Sequence, residues 1–174
     1  MLPALAWGMM QRMYKVPGLK LIAQKRSMAC WYASARMVIQ WKRRHELATL
    51  ADHPDPSELK TIVGWEVNNA GIANPHVIQL AQALGLRAVP PMTPTLKGIR
   101  SLLVKHGPLW SNGKGHIVVI GGVDELKGTL LIFDPWPPGN GKIQWRPFKW
   151  YLNSPSPGSR DTSADVQAIF LYHP

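Results

Sequence analysis

Cysteine is almost absent from the sequence: Cys30, in the stretch QKRSMACW, is the only one among 174 residues. A single cysteine excludes an internal disulfide and a CxxC metal knuckle, so the fold must be stabilised by packing. The thiol stays free unless another molecule reacts with it. Two interpretations of Cys30 follow: a small buried hydrophobic residue, or a reactive nucleophile.

Acidic residues and long apolar runs are also scarce. The chain has 10 Asp and Glu against 20 Lys and Arg, and its net charge of +10 predicts attraction to an acidic partner. No base-reading or RNA-binding motif accompanies this charge, so we do not expect nucleic acid as a partner. The apolar start, MLPALAWGMM, is too short for a membrane span and lacks the features of a secretory signal. We therefore expect no stable membrane insertion.

The residues that are present indicate one domain of class α+β. The hydrophobic fraction of 45 % and the length suit a single packed core. Helical periodicity predicts helices that begin near Cys30 and over 58–67, 74–85 and 95–107, with Ser57 capping the second one. Alternating or apolar runs predict a short strand and then a mostly antiparallel sheet. These strands are expected at 86–90, 108–112, 116–123, 129–134, 142–148 and 166–173, with a polar surface loop before the last.

The helix that begins near Cys30 is amphipathic. Trp31 and Val38 mark its apolar face, and Arg36 and Arg43 mark a basic face on the other side. A cysteine at a helix N-terminus lies beside unpaired backbone N–H groups and the positive end of the helix dipole. Both stabilise a thiolate, which is the nucleophilic form of the side chain.

A nucleophilic cysteine needs a base, and His116 is the best candidate among six histidines. It opens the most apolar strand, HIVVIGG, and follows two glycines, so it can project from the end of a sheet into a cleft. The other five follow a basic run, a proline-rich break, helix ends or the C-terminal strand, and we interpret them as surface residues (His45, His53, His76, His106 and His173).

Asp134 is the candidate that orients this histidine. It ends the strand after His116, and a simple hairpin between 116–123 and 128–134 brings the two residues together. Asn112 and Asp124 are rival orienters, and the pair Asp134–Pro135 is also typical of a turn.

Gln24 lies six residues before Cys30. Its side-chain amide can donate a hydrogen bond to a developing oxyanion, together with the backbone N–H of Cys30. The alternative is an exposed glutamine in a loop.

These residues resemble a known family. The motif Q-x5-C-W, formed by Gln24, Cys30 and Trp31, is similar to that of papain-like cysteine peptidases. The block GPLWSNGKGHIVVIGGVDELKGTLLIFDPWPPG is similar to avirulence proteases of plant-pathogenic bacteria and to the leader-processing peptidase domains of bacteriocin exporters. The exporter domains usually carry DCG where this chain has ACW, which favours the avirulence branch.

The resemblance implies roles for individual residues. Cys30 is expected to be the nucleophile, His116 the general base and acid, and Asp134 the residue that orients His116, with Gln24 in the oxyanion hole. The tryptophans of the family's motifs map to Trp31 and Trp136, which are expected to shape the cleft. No cofactor and no metal is expected.

The resemblance also implies an architecture and a biological setting. The fold is a papain-like domain over 19–174 after an N-terminal extension over 1–18, with the active site between a helical lobe and a sheet lobe. The expected function is that of a cysteine endopeptidase acting on a protein or peptide substrate. A toxin or effector of this kind is expected to be secreted without a cleaved signal peptide and to act in the cytoplasm of a target cell. An immunity protein or a secretion-system carrier is a further expected partner.

Two alternatives stay open. An amidase or deamidase can use the same residues on peptidoglycan or on a host protein. A non-catalytic basic binding module can retain the cleft without the chemistry.

Overall fold

The computed structural model describes residues 12–45 and 55–174. The helices are α1 (Cys30–His45), α2 (Lys60–Val67), α3 (Asn74–Ala83), α4 (Leu96–His106) and α5 (Phe148–Asn153), with a 3-10 helix at Pro56–Glu58. The strands are β1 (Met13–Lys15), β2 (Arg87–Val89), β3 (Leu109–Ser111), β4 (Val118–Asp124), β5 (Thr129–Asp134), β6 (Lys142–Pro147) and β7 (Phe170–Tyr172).

Within these described residues, the strands form one antiparallel sheet in the order β2-β7-β3-β4-β5-β6, and β1 pairs with β4. The predicted mixture of helices and an antiparallel sheet is confirmed. Strand β1 is not predicted from the sequence, and it lies inside the span assigned above to an N-terminal extension. The domain boundary at residue 18 stays a prediction.

Both faces of the sheet are covered by helices, which explains the unbroken apolar runs of the central strands. Leu131 and Phe133 of β5 pack in the cluster formed with α1. Leu130 and Ile132, on the opposite face, pack in the cluster formed with α4 and α5. Successive side chains of a strand point to opposite faces, so a strand covered on both sides contains little else but apolar residues.

Helix α1 is fixed to the sheet at its N-terminal turns. Trp31 is completely buried, and its Nε1 donates to the carbonyl of Ala70 at 2.9 Å. Trp110 of β3 donates from Nε1 to the carbonyl of Trp31 at 3.1 Å, and Ser34 Oγ donates to the carbonyl of Ile117 at 3.4 Å. The start of α1, which holds Cys30, is thereby positioned against the strands that hold the histidine.

The basic face of α1 is partly covered by an acidic segment. Asp55, which is buried, accepts hydrogen bonds from Arg36 Nε and Gln40 Nε2, both at 3.2 Å. Arg43 forms an ion pair with Glu58 at 2.8 Å. These contacts neutralise part of the positive charge that the sequence places on this helix.

Three local predictions are wrong. Ser57 does not cap the second helix, because Asp55 caps the 3-10 helix that precedes it and α2 begins at Lys60 without a side-chain cap. Strand β6 ends at Pro147, which is the N-cap of the unpredicted helix α5. The last strand is limited to Phe170–Tyr172.

No helix in the described parts of the chain is long and apolar enough to cross a membrane.

Candidate active site

Cys30 is the first residue of α1, and its side chain is half-buried. The backbone N–H of Ala33 binds the carbonyl of Ala29, so the N–H groups of residues 30–32 have no carbonyl within the helix to bind. The backbone N–H of Ile117 approaches Cys30 Sγ to 3.4 Å. The sulfur therefore faces the positive ends of backbone dipoles, which favour a thiolate.

His116 and Asp134 meet across the hairpin formed by β4 and β5. Asp124 pairs with Thr129 near the turn, and Val119 pairs with Phe133 at the other end. This register returns Asp134 to His116, and the distance from His116 Nε2 to Asp134 Oδ1 is 2.6 Å. The predicted hairpin and the predicted contact between the two residues are both confirmed.

The protonation of His116 reflects competing influences. Burial lowers the pKa of this histidine, but hydrogen bonds to Asp134 and Cys30 and the negative charges of these partners raise it to about 9. Because Nε2 binds Asp134, Nδ1 is the ring nitrogen left for Cys30. The three side chains thus form a line in which the imidazole is held in its protonated form at neutral pH.

Gln24 is buried between the loop that precedes Cys30 and the loop that follows Asp134. Its Nε2 donates to the carbonyls of Arg26 and Ser27, at 2.7 and 2.8 Å. Its backbone N–H donates to the carbonyl of Pro135, and its carbonyl accepts from the N–H of Gly139. An exposed loop glutamine is therefore excluded. In this arrangement the amide donates to backbone carbonyls, so a role in the oxyanion hole stays a prediction.

A cavity of about 360 Å³ opens beside Cys30 and His116. One part of its lining is apolar and includes Met28, Ile72 and Ile117. The other part is polar and includes Asn74, Asn112, Asp161 and Asp165. The thiol and the imidazole therefore border a space that can hold part of a bound molecule.

A comparison with protein families agrees with this geometry. The family model described as papain-like cysteine protease AvrRpt2 matches residues 10–154, a span that includes Cys30, His116 and Asp134. The chain belongs to this family. It is therefore a cysteine protease, a hydrolase, as the sequence predicted. No curated protein matches the chain.

The rival orienters of this AvrRpt2-family protease are engaged elsewhere. Asn112 donates from Nδ2 to Asn74 Oδ1 at 2.8 Å and to the carbonyl of Ala168 at 3.1 Å. Asp124 Oδ1 accepts from the backbone of its own turn, at Leu126 and Lys127. Of the three candidates, Asp134 is the one that is hydrogen-bonded to the histidine.

The other described histidines do not line the cavity beside Cys30. His45 stacks on Trp41, whereas His76 and His106 form tilted ring contacts with Trp65 and Tyr172. His173 is buried, so its predicted surface position is wrong. The reason is that it follows β7, which lies between β2 and β3 within the sheet. His53 lies outside the described residues.

The two tryptophans of the motifs differ in position. Trp31 is completely buried in the core under α1 and does not line the cavity, so its predicted role in shaping the cleft is wrong. Trp136 is 45 % exposed, and its backbone N–H donates to Asp134 Oδ1 at 2.9 Å. This bond helps to orient the carboxylate toward His116.

Asn69 supports the loop before Cys30 and was not identified from the sequence. Its side chain accepts from the backbone N–H of Met28 and donates to Ser27 Oγ, both at 2.9 Å. Its φ of 52° lies in the left-handed region that asparagine tolerates better than most residues. The run NNAG after the predicted second helix is the signal that could have indicated such a turn.

Asp161 and Asp165 were also missed, because the sequence places them in a polar surface loop. The signal available was the occurrence of two acidic residues near a D-x-S turn in a strongly basic chain.

Among the residues that the structure describes, no group of three or more His, Cys, Asp or Glu side chains could hold a metal ion.

Proposed function

We propose that this protease is an endopeptidase that uses Cys30, His116 and Asp134 as a catalytic triad. The observation that supports it most strongly is the line of contacts from the Cys30 thiol through the His116 ring to the Asp134 carboxylate. This line lies at a helix N-terminus and borders a cavity. Nucleophile, base and orienter are the parts that covalent catalysis at an amide requires.

In the proposed mechanism the Cys30 thiolate attacks the carbonyl carbon of the scissile bond, and a C–S bond and an oxyanion form. The oxyanion then re-forms the carbonyl, the C–N bond breaks, and His116 Nδ1 gives its proton to the leaving amine. A water molecule next gives a proton to His116 while its oxygen attacks the thioester. The C–S bond breaks, which releases the acid and restores the thiolate beside a protonated histidine.

The oxyanion is proposed to bind the backbone N–H of Cys30 and the side-chain amide of Gln24. The N–H of Cys30 is supported by its position at the start of α1. For Gln24 to take part, its amide must exchange one hydrogen bond to Arg26 or Ser27 for one to the oxyanion.

We further propose that the domain over 19–174 acts as two lobes, one with helices α1–α3 and one with the sheet, and that the cleft lies between them. The cavity supports this proposal because its lining comes from both parts, for instance from Met28 and Ile72 on one side and Gly113 and His116 on the other. The span over 1–18 is proposed as an N-terminal extension that joins the sheet through the pairing of β1 with β4.

The setting proposed from the family resemblance is that of a bacterial effector or toxin. Delivery by a specialised secretion system without a cleaved signal would place the protease in the reducing cytoplasm of a target cell, where Cys30 stays a thiol. An acidic immunity protein or a secretion carrier is the proposed partner, since the chain has a net charge of +10.

The nucleophile is tested by alkylation with iodoacetamide and E-64, followed by intact-mass spectrometry. We expect Cys30 to react faster than a free thiol in solution, and His116→Ala to remove most of this difference. Equal labelling of the wild-type protein, the His116→Ala variant and the free thiol would overturn the proposal.

The kind of amide bond that the protein hydrolyses is tested by incubating the active protein with a protein lysate and with purified peptidoglycan. New peptide termini that are absent with Cys30→Ala support an endopeptidase. Deamidated but uncut proteins, or muropeptide products, would instead support a deamidase or amidase. Capture of a partner that Cys30→Ala leaves unchanged, without any product, would support a binding module.

The setting is tested by expression in bacterial cells in cytoplasmic and periplasmic forms. Growth arrest that occurs only in the cytoplasmic form and is lost with Cys30→Ala supports action in a cytoplasm. Arrest in the periplasmic form alone would overturn that location.

A further inference from the structure

Among the described residues, most acidic side chains pair with an arginine or a histidine, whereas the two at the cavity beside Cys30 do not. In the described residues Asp55, Glu58, Glu66 and Glu125 each pair with an arginine, and Asp134 pairs with His116. Asp124 binds the backbone of its own turn. Asp161 and Asp165 both line the cavity, and neither forms an ion pair with a described residue. Two carboxylates that form no ion pair with a described residue therefore line the cavity next to the candidate nucleophile.

These two carboxylates are held in place by a network of neutral amides. Asn112, which is buried, donates to Asn74 Oδ1, and Asn74 Nδ2 donates to Asp161 Oδ2 at 3.2 Å and to Asp165 Oδ1 at 2.9 Å. Ser163 donates to Asp161 Oδ1 from its backbone N–H and its hydroxyl. Each carboxylate oxygen can accept more than one hydrogen bond, so the fixed pair retains capacity for a charged donor.

The remaining lining suits an aliphatic chain. Met28, Ile72 and Ile117 give the cavity an apolar part, and Ile117 is also the residue whose N–H contacts Cys30 Sγ. A volume of about 360 Å³ is within the range of sites that enclose a small ligand or a substrate side chain. Lysine and arginine combine an aliphatic stem with a cationic end, and they bury the stem while the end binds a polar group.

We propose that this cavity binds a lysine or arginine side chain of the substrate. The stem packs on the apolar lining and the cationic end binds Asp161 and Asp165, while the substrate backbone presents a carbonyl to Cys30. The inference rests on the proposed function, because it assigns a substrate class to the same site. The positive charge of Lys114 also acts on Asp161. It therefore weakens the preference of the cavity for a cationic over a neutral side chain.

The experiment uses three series of peptidyl acyloxymethyl ketones, which alkylate an active-site thiol after binding as substrates do. Lysine, norleucine or glutamate is placed in turn at each of the first positions on the acyl side of the reactive group. The second-order rate of Cys30 labelling is measured by intact mass. At one position we expect lysine to react about three- to fivefold faster than norleucine, the size of a partly screened ion pair, and glutamate to react slowest.

Two variants and a matched control assign the preference to the carboxylates. Asp165→Asn should bring the lysine and norleucine rates close together, and Asp165→Lys should make glutamate the fastest probe. Glu125→Gln removes the same charge at the ion pair with Arg100, away from the cavity lining, and should leave the preference unchanged. The preference in the wild type should also weaken as salt is added.

Iodoacetamide needs no substrate pocket. It therefore separates the proposed endopeptidase function from the inferred binding of a lysine or arginine side chain. Rapid labelling of Cys30 by iodoacetamide with equal rates for the lysine and norleucine probes would overturn this inference and leave the endopeptidase standing. Labelling of Cys30 no faster than that of a free thiol, by iodoacetamide and by every probe, would overturn the proposed function and the inference with it. A lysine preference that persists in Asp165→Lys would also overturn the assignment.

Discussion

At the scale of single residues, His116 shows how neighbours determine a protonation state. Burial acts against the charged ring, whereas Asp134 and Cys30 stabilise it and raise the pKa to about 9. A histidine pKa raised above its unfolded value of about 6.5 stabilises the folded protein fully below that pH. This contribution is lost as the pH rises through about 9. The same proton is the one that the leaving amine requires in the proposed mechanism.

Asp134→Asn should therefore change the alkaline side of the pH profile. We expect kcat/KM on a peptide substrate to fall by about 10- to 100-fold, and its alkaline limb, near pH 9 in the wild type, to move to lower pH. The measurement is kcat/KM from pH 6 to 10. Asp124→Asn, at the rival orienter, is the control and should leave the limb in place. A limb that does not move in Asp134→Asn would contradict the assignment.

Gln24→Ala separates a role in transition-state binding from a role in holding the loops. If its amide binds the oxyanion, kcat should fall by about 100-fold while the rate of iodoacetamide alkylation of Cys30 is nearly unchanged, because alkylation forms no oxyanion. Urea denaturation of the same variant measures what the buried hydrogen bonds add to stability. An equal loss in kcat and in alkylation would show that Gln24 positions Cys30 instead.

At the scale of elements, the segment around Asp55 fixes the outer face of α1. Asp55 is buried, and burial raises the pKa of its carboxyl, but hydrogen bonds from Ser57 and Gln40 and the charge of Arg36 lower it overall. A lowered carboxyl pKa contributes stability that is present above the unfolded value and is lost as the pH falls through the folded value.

Asp55→Asn should consequently reduce the free energy of unfolding by about 2 to 3 kcal/mol at pH 7, because Arg36 loses a buried partner. The measurement is urea denaturation followed by tryptophan fluorescence, repeated toward pH 3, where the difference from wild type should shrink. Glu58→Gln removes the exposed pair with Arg43 and serves as the control, with a smaller effect expected. Equal effects of the two substitutions would contradict the argument.

The position directly after α4 requires glycine, Gly107, both for its backbone conformation and for the space around it. Its φ is 80°, and a Cβ there would lie 2.2 Å from the Trp41 ring of α1. Gly107→Ala should lower the free energy of unfolding by about 2 to 4 kcal/mol in urea denaturation. Gly64→Ala, in the middle of α2 with nothing within 4 Å of the added Cβ, should instead be neutral or stabilising by about 0.5 to 1 kcal/mol. A neutral Gly107→Ala would show that Trp41 can move away at little cost.

At the scale of the whole molecule, the candidate triad depends on contacts between distant parts of the chain. Cys30 comes from α1, whereas His116 and Asp134 flank the central hairpin of the sheet. Trp31 of α1 lies in the same buried cluster as Trp110, Val119 and other residues of the strands. The geometry of the thiol and the imidazole is therefore a product of core packing.

Rapid alkylation of Cys30 should accordingly be lost in the same transition as the fold. In a urea series, the iodoacetamide rate should decrease to that of a free thiol at the midpoint seen by tryptophan fluorescence. His116→Ala, which lacks the fast reaction at every urea concentration, is the control for the intrinsic effect of urea on alkylation. Loss of the fast reaction well before the fluorescence change would show that the helical part separates from the sheet first.

Much of this protein follows from the sequence by itself. Periodicity placed α1 from Cys30 onward, and the spacing of two apolar runs placed His116 and Asp134 at facing ends of one hairpin. The motifs around Cys30 and Asp134 indicated the family. These features are local, because helical periodicity, a short hairpin and a motif each involve residues that are close in the chain.

Other features were decided only by the tertiary structure. The burial of His173, the pairing of Asp55 with α1, and the joining of Gln24 to the loop after Asp134 all depend on segments far apart in sequence. So does the network from Asn112 through Asn74 to Asp161 and Asp165. Neither periodicity nor propensity records which distant side chains meet, because long-range packing selects those pairs after the local elements have formed. The sequence by itself determined which residues could form the reactive centre, and the tertiary structure decided which charged side chains surround it.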